Sequence, residues 1–356
     1  MRASAAGVAV LLIVLILWDA FQTIILSRRV SRKLRPTRAF YRLAWTPWRA
    51  VARRLPAGNR RENLLMVFGP LSLLLLIVTW AVGLVLSFAI LHWGLGSEVT
   101  AADGRAGFGV DLYMSGTTFF TLGLGDVTPR TPLARALTIV ESGMGFGFLA
   151  LVIGYLPLIS QAFSRREVTV SMLDARAGSP PTAAELLRRH LVNSDLRDLL
   201  RDWEVWSAEL LESHVSFPVL SYFRSQHDNQ SWVAALTAIL DACAFLVARL
   251  DDAAVPAARL TFVMARHAVF DLCAVFGLPP FRPAPDRLPP ETDARLVAML
   301  AKAEVRARTD PASTAKLAAI RATYEPYVEA LSRHLLMPLP EWMSAAERRD
   351  TWHTMR

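Results

Sequence analysis

Three long apolar runs fill most of the first half of the sequence, and they decide what the chain can become. Residues 5–26 are broken only by Asp19, Gln22 and Thr23, residues 64–91 carry no charge, and residues 136–162 carry one, Glu141. Each run is long enough to cross about 30 Å of hydrocarbon as a helix. A mean hydropathy of +0.32 with 53% hydrophobic residues agrees, because soluble domains rarely average above zero. The first run follows Arg2, as a secretory signal would. Its apolar stretch is long and no small-x-small cleavage site follows, so a retained spanning helix is expected.

The connecting segments give an orientation. Between the first two runs, residues 27–63 hold twelve Lys+Arg (Arg28, Arg29, Arg32, Lys33, Arg35, Arg38, Arg42, Arg49, Arg53, Arg54, Arg60, Arg61) against Glu62. The positive-inside rule makes this segment cytoplasmic. Residues 94–111, with Glu98, Asp103 and Asp111 against Arg105, then lie outside, and Arg165 and Arg166 bring the chain back inside. One topology satisfies all three: N-terminus out, C-terminal half cytoplasmic. Phe40, Tyr41, Trp45 and Trp48 sit among the cations of the basic segment. The stretch at 28–61 either lies along anionic headgroups or is a solvated topology determinant. No spanning run has the spaced arginines of a voltage sensor.

The charge balance divides the chain in two. Residues 1–163 hold 16 Lys+Arg against 7 Asp+Glu (16 − 7 = +9), and residues 164–356 hold 23 against 24 (23 − 24 = −1). The basic excess belongs to the apolar half, which argues against a nucleic-acid-binding domain. Two cysteines, Cys243 and Cys273, exclude a disulfide-stapled scaffold and a multi-cysteine metal site. Cysteine usage and the retained first helix favour a bacterial inner membrane.

Between the second and third runs lies the segment expected to carry the chemistry. Residues 112–120 are too short to span but suit a re-entrant half-helix. The next six, Thr121, Leu122, Gly123, Leu124, Gly125 and Asp126, cannot continue a helix comfortably. Non-helical backbone at membrane depth survives only where it is enclosed by protein or lines water. Glycines at alternate positions accept the positive φ that aims successive carbonyls at one axis. A ring of such carbonyls can replace the water shell of a monovalent cation, and the C-terminal dipole of the preceding helix favours the same charge.

Residues 121–126 resemble the selectivity filter of potassium channels, Thr-Val-Gly-Tyr-Gly-Asp, in the same frame of outer helix, pore helix, filter and inner helix. The resemblance covers residues 64–163, 100 of 356. It implies that the Thr121 hydroxyl and the carbonyls of Thr121, Leu122, Gly123 and Leu124 coordinate dehydrated K+. Gly125 and Asp126 would close the outer mouth, and four chains would surround the ion as a homotetramer. Two departures bear on selectivity. Leu124 replaces the usual Tyr or Phe, as in some tandem-pore channels, and Phe120 replaces a common Thr or Ser.

The inner helix holds gating features. Gly145 lies 145 − 125 = 20 residues beyond the second filter glycine, where the family often has a hinge. Gly143 and Gly147 offer a helix-packing seam as an alternative, and Pro157 should kink the helix. Thr117, Thr118, Phe120 and Glu141 are expected to support the filter. Glu141 would act through Thr117 or a filter amide, line the ion pathway, or merely be paired. Asp19 is expected to contact the outer helix.

Residues 164–356 read as an all-α domain with helical periodicity over 183–214, 229–250, 257–276, 291–308 and 312–336. The apolar stretch 232–250 contains Asp241 and Arg249, so a buried soluble helix is expected there. Glu212, His214, His227, Asp228 and His267 lack metal-ligand spacing, and 212–232 is the best guess for a ligand or intersubunit surface. No phosphate loop, nucleophile elbow or paired motif carboxylate occurs, so neither an enzyme nor a cofactor is expected. The whole reads as an all-α membrane protein: a first helix and basic segment (1–63), a pore domain (64–163) and a cytoplasmic helical domain (164–356) that influences gating. The alternatives to a potassium channel are a non-selective monovalent cation channel and a sensor or scaffold with a degenerate pore.

Overall fold

The computed structural model describes residues 2–26, 36–97, 99–101, 107–191, 196–226, 229–282 and 285–344. Arg28, Arg29, Arg32, Lys33 and Arg35 of the basic segment, Glu98, Asp103 and Arg105 of the outer loop, and His227 and Asp228 lie outside the described residues. The chain is nearly all helix, in two compact units, Met1–Gln161 and Ala162–Arg356.

The first unit contains α1 (Arg2–Ile24), α2 (Pro36–Arg54), α3 (Asn59–Leu95), α4 (Phe108–Phe119) and most of α5 (Pro132–Ala177). The three apolar runs become α1, α3 and α5; α3 and α5 extend beyond their runs at both ends, whereas α1 stops at Ile24, just short of the end of its run. Small residues bring α1 and α3 together. A Cβ at Gly94 would stand 2.8 Å from the Ala6 amide nitrogen and 2.9 Å from the Arg2 carbonyl oxygen, and one at Gly83 would stand 2.8 Å from the Ile16 side chain. Close approach through glycine is how helices associate where the hydrophobic effect gives no drive. The pairing order (94 with 6, 83 with 16) makes the two helices antiparallel. Ala6, Ala9 and Ile13 then pack with Ala81, Leu84, Phe88, Leu91 and Phe119.

Asp19 does contact the outer helix. Its carboxylate is buried and accepts from Trp80 Nε1 (3.0 Å) on α3, and from the Thr37 hydroxyl (2.6 Å) and amide (3.3 Å) at the start of α2. One carboxylate thus ties three helices. The described part of the basic segment is an amphipathic helix rather than a loop. Trp45 and Ala52 are buried, the Trp45 and Trp48 rings pack on Phe68 (4.7 and 5.6 Å), and Trp48 Nε1 donates to the Leu64 carbonyl (3.1 Å). Arg38, Arg42, Arg53 and Arg54 occupy the exposed side together with Leu43.

In the second unit the chain continues through α6 (Ala183–His190), α7 (Leu196–Ser216), a 3-10 turn (Pro218–Tyr222), α8 (Trp232–Arg249), α9 (Val255–Phe276), α10 (Pro290–Lys302), α11 (Pro311–Arg321) and α12 (Glu325–Leu335). By length and hydropathy α8 could cross a membrane, as could α1, α3 and α5. However, 94% of its apolar window is buried inside the protein, against 50% for α3 and 11% for α5. It is the central helix of the second unit's core, packed by α6, α9, α11 and α12. Its Asp241 is fully buried yet well paired, with Arg287 Nη2 at 2.6 Å and the Tyr324 hydroxyl at 2.5 Å.

Three periodic stretches are shorter or split. The stretch 183–214 is two helices, α6 ending at His190 and α7 starting at Leu196. The stretch 291–308 stops at Lys302, where Glu304 turns left-handed (φ 62) and the Val305 amide donates back to Leu300, a common helix terminator. The stretch 312–336 breaks before α12, whose first turn holds Pro326; proline fits a first turn and cannot sit in the middle of a continuous helix.

Candidate ion-conduction site

The site is built on α4. Twelve residues at 1.5 Å each give a helix of about 18 Å, too short to cross the bilayer. Its last turn ends in a tight set of bonds. The Phe120 amide donates to Gly116, the Thr121 amide to Thr118 (3.0 Å), and the Leu122 and Gly123 amides both to the Thr117 carbonyl (2.8 and 3.4 Å). Thr117 and Thr118 therefore anchor the next segment through their carbonyls. The Thr117 hydroxyl is spent on Met114 (3.0 Å).

Beyond this anchor the backbone is not helical. Thr121, Gly123 and Gly125 have φ of 58°, 56° and 80°, so every second residue is left-handed. Two of the three are glycines, which bear this freely. Thr121 is β-branched, and the conformation costs it about 1–2 kcal/mol. Such local strain persists where the surroundings impose it, typically at functional sites. Among the described residues no hydrogen bond reaches the carbonyls of Thr121, Leu122, Gly123 or Leu124, and residues 121–126 are all exposed in the single chain. A strand of alternating hand with free, exposed carbonyls can offer its oxygens to a cation.

The outer end is also fixed. The Asp126 side chain stands close enough to Tyr113 of α4 to interact with its hydroxyl. Immediately after it, β2 (Val127–Pro129) pairs antiparallel with β1 (Val99–Ala101), Val99 opposite Pro129. Phe120 and Leu124 are 59% and 64% exposed. Phe120 meets the buried Phe119 edge-on at 5.4 Å, and Phe119 packs on Phe148 of α5 at 5.9 Å.

Glu141 of α5 is fully buried behind α4, but not against Thr117 or a filter amide. It meets the Ser115 hydroxyl, which also lies 2.8 Å from the Val85 carbonyl oxygen of α3. Its other oxygen stands 3.6 Å from Nε2 of the equally buried His92. Gly145 has no room for a side chain: a Cβ there would lie 1.9 Å from the Phe119 carbonyl oxygen. Among the described residues Gly143 and Gly147 meet nothing of their own chain within 4 Å, so the alternative packing seam has no partner helix within this chain. α5 runs through Pro157 as one helix. The sequence reading missed Ser115, His92 and Tyr113. The first two are polar residues within or beside apolar runs, a signal that could have marked them as partners of Glu141.

In the second unit the described polar residues of 212–232 are engaged mainly with one another and with the backbone. The buried His214 donates from Nδ1 to the Leu210 carbonyl (2.9 Å), leaving Nε2 to accept from Arg166 Nη1 (3.1 Å). Burial, reinforced by the adjacent guanidinium, holds the imidazole well below its ordinary 6.5. Arg166 also donates to the carbonyls of Leu220 (2.9 Å) and Phe223 (2.8 Å). His267 pairs with Asp271 at 3.1 Å on α9.

Comparison with known proteins agrees with this geometry over part of the chain. The chain is 28% identical over 194 residues to an uncharacterized membrane protein of Bacillus subtilis, YdjJ, and the alignment covers 52% of this chain and 54% of that one. The chain thus matches about half the length of that curated relative. No solved structure matches. The sequence profile of the ion channel family matches residues 72–157, from the middle of α3 through α4 and the left-handed strand to Pro157 in α5. That segment of a multi-pass, all-α membrane protein resembles the pore of the potassium channel family.

Proposed function

We propose that four copies of this chain form a channel that conducts K+ passively through residues 121–125. The observation that carries this reading is the alternating left-handed backbone at Thr121, Gly123 and Gly125, with the carbonyls between them free of hydrogen bonds. In hydrocarbon such carbonyls would each forfeit several kcal/mol unless protein or an ion met them. One strand cannot surround an ion, whereas four around an axis supply square tiers of oxygens. The uncovered surface of α5, with Phe146 69% and Ile153 64% exposed, supports the same assembly, since partner subunits would cover it. Asp126 closes the outer mouth. The basic segment faces the cytoplasm, with the arginines of α2 on anionic headgroups, and the C-terminal helical unit biases the inner helices.

The test is potassium-gradient flux in liposomes loaded with the purified full-length protein. Wild type is expected to pass K+, and Gly123→Ala, which forces a side chain onto a left-handed position, is expected not to. Equal flux in both would refute the reading. A second reading, a weakly selective monovalent cation channel, is favoured by Leu124, which puts no aromatic ring behind the strand. Reversal potentials in opposed K+ and Na+ gradients separate the two.

A further inference from the structure

The number of protons available at Ser115 bears on the buried carboxyl behind the strand. Ser115 Oγ touches two oxygens at hydrogen-bonding distance, the Val85 carbonyl at 2.8 Å and a Glu141 carboxyl oxygen. A hydroxyl brings one proton and two lone pairs, whereas a carbonyl brings only lone pairs. If the Ser115 proton goes to an ionised Glu141, the Ser115 and Val85 oxygens face each other with no proton between them. If it goes to Val85, the proton of the second bond must come from Glu141. The second arrangement gives each contact its own proton, whereas the first leaves at best one proton shared between two acceptors.

The surroundings agree. Glu141 and His92 are both fully buried, yet Glu141 Oε2 and His92 Nε2 stand 3.6 Å apart, and neither atom has a hydrogen-bond partner among the described residues. A carboxylate and an imidazolium in so dry a place would close to bonding distance, because a charge-assisted bond there is short and strong. Arg2 of α1 already stands as a fixed cation near Asp111 of α4, so that carboxylate does not require an imidazolium at His92. A neutral acid beside a neutral imidazole avoids burying two unbonded charges.

We propose that Glu141 is held as a neutral carboxylic acid that donates to Ser115, which in turn donates to Val85. This relay runs from α5 through α4 to α3. Ser115 lies two residues before Thr117, whose carbonyl holds the Leu122 amide. Glu141 and Ser115 are therefore positioning residues for the strand that follows. The effect on ions rests on the proposed conduction through residues 121–125; the location of the proton does not.

Two measurements on the full-length protein in liposomes test the proposal. Infrared difference spectra of wild type should contain a protonated-carboxyl C=O stretch that persists at mildly alkaline pH and disappears in Glu141→Gln. In K+/Na+ flux, Glu141→Gln keeps a donor at the same place and should hold the wild-type flux ratio within about twofold. Glu141→Ala and Ser115→Ala break the relay and should lower the ratio roughly fivefold, the equivalent of one buried hydrogen bond. A missing band, a Gln variant as impaired as the Ala variant, or Ala variants that match wild type would each overturn it. If wild-type vesicles pass no ion, the conduction reading fails while the band still decides where the proton sits. If an Ala variant does not fold, the band and the Gln variant carry the test.

Discussion

Replacing Gly145 by alanine should damage the site out of proportion to the one methyl group added. The new Cβ would lie 1.9 Å from the Phe119 carbonyl oxygen, 2.8 Å from its carbon and 3.1 Å from its Cα, and contacts under 3.0 Å are essentially never seen. Backbone must therefore move against backbone by at least 3.0 − 1.9 = 1.1 Å. No flexible side chain can give way, and the Phe119 ring is pinned against Phe148. If the last turn of α4 moves, the Leu122 amide loses its hold on Thr117, since 2.8 + 1.1 = 3.9 Å is beyond bonding reach. Overpacking of this kind costs about 1–3 kcal/mol per chain, and the lost hydrogen bond adds about 1 kcal/mol. Thermal unfolding in detergent should show a lowered Tm, and liposome flux should show lost or unselective conduction. Gly143→Ala, whose Cβ meets nothing of its own chain, is the control. A Gly145→Ala protein with wild-type Tm and flux would refute the close approach of α5 to α4.

Three other outcomes follow from the buried polar groups. Asp19→Ala should destabilise the protein by about 1–3 kcal/mol, because it strands the Trp80 indole N–H and the Thr37 amide without their acceptor; Asp19→Asn should cost less, and thermal unfolding compares the two. Arg287→Ala should cost about 3–5 kcal/mol by leaving Asp241 buried and uncompensated, and limited proteolysis should then cut the second unit. His214 should make stability fall in acid. The unfolded chain takes up a proton below the ordinary 6.5 while the native imidazole refuses one, so stability is full above that pH. It then declines by up to about 1.4 kcal/mol per pH unit as pH drops towards the depressed native value. Denaturant titrations at successive pH values should show this increment, and His214→Gln should abolish it.

What the sequence could tell follows from how far apart the interacting residues are. The spanning helices and the strand at 121–125 depend on local features, long apolar runs and alternating glycines, and both stand where the pattern puts them. The burial of α8 was legible from Asp241 and Arg249, which a lipid-exposed helix would not carry. The partner of Glu141 was not legible. Thr117 and Ser115 are two residues apart, about 200° around a helix, so choosing between them means knowing which face of α4 meets α5. That face is set by Gly145 against Phe119 and by Ser115 against Val85, contacts between segments tens of residues apart. The helix breaks at Glu304 and before Pro326 were hidden for another reason: the apolar periodicity continues across them, and only the backbone turns.

The segment between the Thr117 carbonyl and the Val127–Pro129 ladder behaves like a string tied to two pegs. One peg is the end of a short helix, and the other is a β-register in which Val99 faces Pro129. A change of residue along the string swaps a side chain and leaves the span alone, whereas an added or missing residue has nowhere to go. A slip of one at the ladder would turn each side chain of β2 to the opposite face. Natural variation here should therefore be free in spelling and rigid in length, and a single-residue insertion after Gly123 should be worse tolerated than any substitution at Leu122 or Leu124.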